Sequence, residues 1–142
     1  LDGEDISEDI RKKVVTNRVS QVSAIEDVRK KMVKIQKEIV SDGNFVVEGR
    51  DIGTVVFPNA EHKFFLVADY DTRAKRRLKD FHSVNEELDL SDIKNDLIRR
   101  DERDKNRKLS PLKKAEDAVV IDTSNCSIDE QVESIYKYIE RV

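Results

Sequence analysis

Apolar residues recur along this chain at two different periods, and the change from one to the other divides it. From Ile25 to Val40 the positions Ile25, Val28, Met32, Ile35 and Ile39 fall three and four apart. That spacing predicts a helix with one stripe toward a core and its lysines in water. Upstream, Asp5-Ile6-Ser7-Glu8-Asp9-Ile10 predicts a helix start, with Ser7 or Asp5 as N-cap and acidic residues in the first turn. Asn17–Ser23 reads as a weaker helical turn. Asp42-Gly43-Asn44 stops the long helix, Gly43 being available for a left-handed position.

From Phe45 onward the pattern changes to short continuous apolar runs. Phe45-Val46-Val47, Lys63–Ala68 and Ala118–Asp122 read as strands, and Lys63–Ala68 has no polar alternation, which predicts burial on both faces as in parallel sheets. Helical patterns lie between them. One begins near Thr72, capped by Asp69 or Asp71. A break at His82-Ser83-Val84-Asn85 separates it from a second, about Ser91 to Lys105, with Ile93, Leu97 and Ile98 as its apolar face. The last opens with Ser127 and Glu130 as a capping box and runs through Val132, Ile135 and Ile139. Strand alternating with helix predicts an α/β protein, a parallel sheet flanked by helices.

Composition narrows the classes. At 142 residues, one domain is the ceiling. Charged residues make up 40% and aromatics 6%, so the apolar content must be concentrated in a few strands and helix faces. A formal charge of −3 does not suit a coat for phosphodiester chains, and no nucleic-acid partner is expected. Cys126 is the single cysteine, which excludes an intrachain disulfide and suits a reducing cytoplasm. No apolar run approaches the ~20 residues of a membrane-spanning helix, so the expectation is a cytoplasmic protein with no membrane partner. Leu1 stands where an initiating Met would, which points to a fragment, a processed product or a sequence without its beginning.

Two stretches carry candidate chemistry. The first is Glu48–Pro58, where a polar turn of charge and glycine follows an apolar run, the place where open α/β sheets hold their ligands. The second is Arg99–Arg107, in which Arg100, Arg103 or Asp104, and Arg107 recur three and four apart and so project from one side of a helix. Guanidiniums are permanent planar donor forks suited to phosphate oxygens. Taken alone, the same run also describes a solvated helix laced with ion pairs. Ser20 equally reads as a cap, Arg29 as a solvated cation, and Asp51 as a turn residue bonding its own backbone. His62, His82 and Cys126 have no sequence partners and read as structural, and no metal site is expected.

Together the two stretches resemble bacterial cytidylate kinases, through Gly49-Arg50-Asp51-Ile52-Gly53-Thr54-Val55-Val56-Phe57-Pro58 and through R-D-x-R-D-x-N-R at 100–107. The resemblance implies a P-loop nucleoside monophosphate kinase fold that transfers phosphate from ATP, with its Mg²⁺, to CMP or dCMP, and no obligate protein partner. It implies that Ser20, Arg29 and Asp51 read the cytosine ring, whose exocyclic amine a carboxylate can accept. It implies that Arg100 and Asp104 hold the pentose and nearby phosphate, that Arg107 holds the acceptor monophosphate, and that Arg50, Arg103 and Arg107 act in catalysis. Arg73, Arg76 and Arg77 line the donor side on this reading or form a solvated basic face. Residues 1–44 would be the acceptor-binding region and 45–142 the core, with a lid at about 72–111. The phosphate loop G-x-x-x-x-G-K-[ST] does not occur here, so the residues that bind the ATP phosphates are unknown, and the first strand of the family's sheet is expected to be missing too. The alternative is a catalytically inactive nucleotide-binding module retaining only the CMP-site and lid portions.

Overall fold

Strands β1 (Phe64–Val67) and β2 (Val119–Asp122) pair in parallel, Phe64 opposite Val119 and Val67 opposite Asp122. The ladder is extended at both ends, where Val119 N–H donates to the Lys63 carbonyl at 2.9 Å and Thr123 N–H to that of Val67 at 2.7 Å. Parallel strands need a long crossover. Here it contains α3 (Tyr70–His82) and α4 (Leu90–Asn106), and α5 (Ile128–Ile139) follows β2. Helices α1 (Lys13–Val22) and α2 (Glu26–Ile39) precede the sheet. The computed structural model describes residues 1–40, 43–82 and 88–140, and the Ser20 side chain lies outside that description.

The core sits between α3 and α4. Ala74, Phe81 and Ile93 are buried, with Leu78, Leu88 and Leu97 packed around them. Positions 74, 78 and 81 share one face of α3 and 93 and 97 one face of α4, so two amphipathic stripes close on each other. Local chemistry starts these helices. Asp69 accepts from Thr72 N–H at 2.7 Å and from its hydroxyl at 2.9 Å. Asp89 accepts from Ser91 N–H at 2.7 Å. Ser127 and Glu130 form the reciprocal capping box of α5.

Several expectations are corrected. Residues 45–48 form no strand; Phe45 and Val46 are exposed, because among the described residues no neighbouring strand accepts them and an extended segment without a ladder is not a strand. Lys63–Ala68 is not buried on both faces, since Leu66 is 52% exposed where, among the described residues, no helix or strand covers it. The apolar stripe of α2 is only partly covered, with Ile25, Met32 and Ile39 exposed. Neither Ser7 nor Asp5 caps a helix. Asp5 instead accepts from the N–H and hydroxyl of Ser7 in a local turn, and continuous α-helix starts at Lys13. The weaker turn at 17–23 is the end of that helix. The expected helix stop at Asp42 and the break at 83–85 lie outside the described residues, while Gly43 has φ +113°, a conformation that favours glycine.

Candidate functional site: a buried arginine and aspartate cluster

The turn that follows 45–48 is wound on one carbonyl. The Asp51 C=O accepts from Val55 N–H at 2.9 Å and from Thr54 N–H at 3.3 Å, and Phe57 N–H donates to the Ile52 carbonyl at 2.7 Å. This wide helical turn, Ile52–Val56, buries Val56 and fixes the backbone of Asp51. Gly49 is required beside it, because a Cβ there would meet the Ile52 side chain at 2.7 Å. The turn therefore aims two adjacent charges, Arg50 and Asp51, from a rigid frame.

Both reach into α4. Asp51, 6% exposed, pairs with Arg29 of α2, and its other oxygen stands 3.8 Å from Arg107. Arg50 donates to Asp101 at 2.8 Å and approaches Asp104 at 3.5 Å. Arg73, in the first turns of α3, grips both oxygens of Asp101. Asp104, 3% exposed, stands 3.9 Å from Arg100 and 3.8 Å from Arg107. Arg107 follows the last turn of α4 and donates from Nε to the Ser110 carbonyl, while Leu112 N–H folds back onto the Asp104 carbonyl at 2.7 Å. Five guanidiniums thus surround three carboxylates, supplied by α2, the turn, α3 and α4.

The electrostatics follow from that excess. Burial lowers the pKa of Arg29, and the nearby Arg107 charge adds to it while Asp104 opposes. Arg100 is lowered by burial and by Arg50, and Arg107 by burial and Arg50 against the pull of Asp104. Burial pushes Asp101 upward, but Arg73 and Arg50 outweigh it and hold the carboxyl below its ordinary value. Its hydrogen bonds to Asp101 raise Arg73 in turn. Among the described residues, three buried guanidinium nitrogens, Arg29 Nε, Arg100 Nε and Arg107 Nη2, have no hydrogen-bond acceptor. Buried donors of this kind are costly unless an acceptor arrives, and an anion with several oxygens is the chemistry they fit.

Of the residues singled out from sequence, the structure brings Arg29, Arg50, Asp51, Arg100, Asp104 and Arg107 into this cluster. Ser20 lies in α1, with its side chain outside the description. Arg103 does not join Arg50. It is exposed on the neighbouring face of α4, beside Arg99, Glu102 and Asn106, because the one-residue offset from Asp104 turns it away. Arg73 enters the cluster, whereas Arg76 hydrogen-bonds the hydroxyl and carbonyl of Thr123, and Arg77 lies over the Phe81 ring and donates to Thr16 at 3.3 Å. Asp101, 4% exposed, is the member that sequence reasoning missed. Its signal was the first Asp of the R-D-x-R-D repeat, three residues before Asp104 and so on an adjoining face. Among the described residues no group of His, Cys, Asp and Glu is arranged to hold a metal ion, and no helix is long and apolar enough to cross a membrane.

Comparison with known proteins gives a consistent picture. The family model described as cytidylate kinase matches residues 1–141. The chain is 47% identical over 141 residues to a cytidylate kinase of Lactobacillus johnsonii and 46% identical over 141 residues to one of Lactobacillus gasseri, covering 99% of this chain and 61% of each relative. It is 49% identical over 137 residues to a cytidylate kinase of Streptococcus pneumoniae, covering 96% of this chain and 61% of that relative. The chain therefore spans about 61% of the length of the curated relatives it matches.

Proposed function

Since the chain belongs to the cytidylate kinase family, we propose that it carries the acceptor site and lid of an enzyme transferring the γ-phosphate of ATP to CMP or dCMP, giving CDP or dCDP and ADP. The observation that carries this reading is the buried cluster with guanidinium N–H groups left without acceptors. Phosphoryl transfer asks mainly for alignment and charge stabilisation, and a preorganised group of arginines supplies both.

Each residue has a place in that reading. Asp51, with Arg29 against it, meets the cytosine edge, where the carboxylate accepts from the exocyclic amine; uracil offers a carbonyl there and would face it badly. Ser20 is the third base contact. Arg100 and Asp104 hold the pentose and nearby phosphate, and Arg107 the acceptor phosphate. Arg50 takes charge developing on the transferring phosphoryl group, with Arg103 as a second candidate from the next face of α4. Residues 1–44 form the acceptor-binding region and about 72–111 the lid over the core. Mg²⁺ enters with ATP and neutralises its phosphates. No G-x-x-x-x-G-K-[ST] loop occurs in these 142 residues, so the cluster speaks for the acceptor and not for the ATP tail. The same buried cluster would also serve a second reading, nucleotide binding without transfer.

Calorimetric titration with CMP, with UMP as control, tests the assignment. We expect CMP to bind more tightly than UMP, and Asp51→Ala to remove about tenfold or more of that preference. Equal affinity for the two nucleotides, or a preference that survives Asp51→Ala, would overturn the base-reading role. Phosphate transfer assayed on the same sample separates the kinase from the binding module.

A further inference from the structure

Asp101 has no role in the assignments above, yet the Arg50 turn and the start of α3 both converge on it. Its carboxylate accepts from Arg50 through one nitrogen and from Arg73 through two, so both of its oxygens are engaged. The exposures are layered. The Asp101 side chain is 6% exposed, while those of Arg50 and Arg73 are 29% and 25% exposed. The acid is closed in, and the two guanidiniums it holds still present donors outward, since each has five N–H groups and spends only some on Asp101.

We propose that Asp101 is a positioning residue that sets Arg50 and Arg73 as a paired guanidinium clamp for a phosphate group. The proposal deepens the reading above, because it takes this cluster to receive phosphate. Two guanidiniums brought together repel each other, and neither Arg50, on a turn, nor Arg73, on a separate helix, is held near its partner by local structure. A carboxylate gripped side-on by one fork and end-on by the other removes the repulsion and fixes both planes. Arg50 and Arg73 then approach one anion without a search through their rotamers.

The test uses the sign of an electrostatic effect. If Asp101 acted through its charge alone, removing that negative charge would tighten the binding of an anion. If it positions the clamp, removing it weakens the anion despite the gain in positive charge. Pyrophosphate, which has neither base nor sugar, is titrated calorimetrically into the intact protein at fixed ionic strength, comparing wild type with Asp101→Asn. Weakening of about tenfold or more is expected in a variant whose circular dichroism is unchanged. Affinity that is unchanged or tighter overturns the proposal, as does a wild type that takes up no pyrophosphate. Should Asp101→Asn fail to fold, Arg73→Lys replaces it: lysine keeps the charge but cannot span both carboxylate oxygens, so several-fold weakening is expected and an unchanged affinity overturns the clamp. Cytidine, titrated in parallel, contains no phosphate. Its failure to bind alongside the expected pyrophosphate result would reject the cytosine assignment and leave the clamp standing.

Discussion

At the scale of single residues one ionised carboxylate of the cluster, that of Asp101, ties folding to pH. Asp101 binds its proton less tightly folded than unfolded, because Arg73 and Arg50 favour its charged form. Its contribution is therefore complete above the ordinary aspartate value of about 4 and fades as the pH falls through the lower value of the folded state. Thermal unfolding followed between pH 7 and pH 3 should show stability dropping at the acid end, with a shallower drop in Asp101→Asn. Identical pH profiles would remove Asp101 from the linkage. Asp101 also marks a limit of sequence reading. An aspartate inside R-D-x-R-D looks like one half of a surface ion pair, and nothing local says that Arg50 and Arg73, 51 and 28 residues away, both arrive at it. Asp51 and Arg107 were singled out because the family resemblance gives them roles, and it gives none to Asp101 although Asp101 lies in the same stretch as Arg107.

At the scale of elements, helices were legible where their ends and stripes are written locally. The capping box of α5 and the Asp69 start of α3 each need only a few neighbouring residues, whereas the Asp89 cap of α4 was not singled out from sequence. Ser127→Ala should cost about 1 kcal/mol in urea unfolding, most of it local to α5. Asp69→Ala should lower stability and, by fraying the first turn of α3, also loosen Arg73 from Asp101. A stability loss confined to α3 with the Arg73 side-chain signals unchanged by NMR would contradict that coupling. Phe81→Ala empties the space between α3 and α4 and should cost about 3 kcal/mol or more, a penalty of the size that partly collapsed core cavities carry. Strands were less legible. Val119–Asp122 and Phe64–Val67 find each other, whereas the equally apolar Phe45-Val46-Val47 finds no ladder among the described residues, and apolar character alone does not distinguish the two cases.

At the scale of the whole molecule, the packed and unpacked regions are unevenly divided. The α3 and α4 pair is closed, but Leu66 and Val120 on the sheet and Ile128, Val132 and Tyr136 on α5 are exposed. A two-stranded sheet with bare apolar side chains and unpaired edge groups favours association. Sedimentation of the 142-residue chain should therefore show species larger than a monomer that grow with concentration, and Val120→Lys should reduce them. A monomer at all concentrations would mean that these surfaces are covered in solution. The helical wall of the α/β arrangement was readable from sequence, because alternating periods announce it. The extent of the sheet was not, because each strand depends on a neighbour elsewhere in the chain.

The surplus of guanidinium over carboxylate in the cluster also makes the surrounding medium a partner in folding. Any small oxyanion that settles among these arginines binds the native chain and not the unfolded one, so sulfate or phosphate buffers should raise the melting temperature above that in chloride at equal ionic strength. The same ions would occupy the seat of a nucleotide. Affinities measured in such buffers would then report a competition, and the choice of salt would decide how strong the protein's hold on its ligand looks.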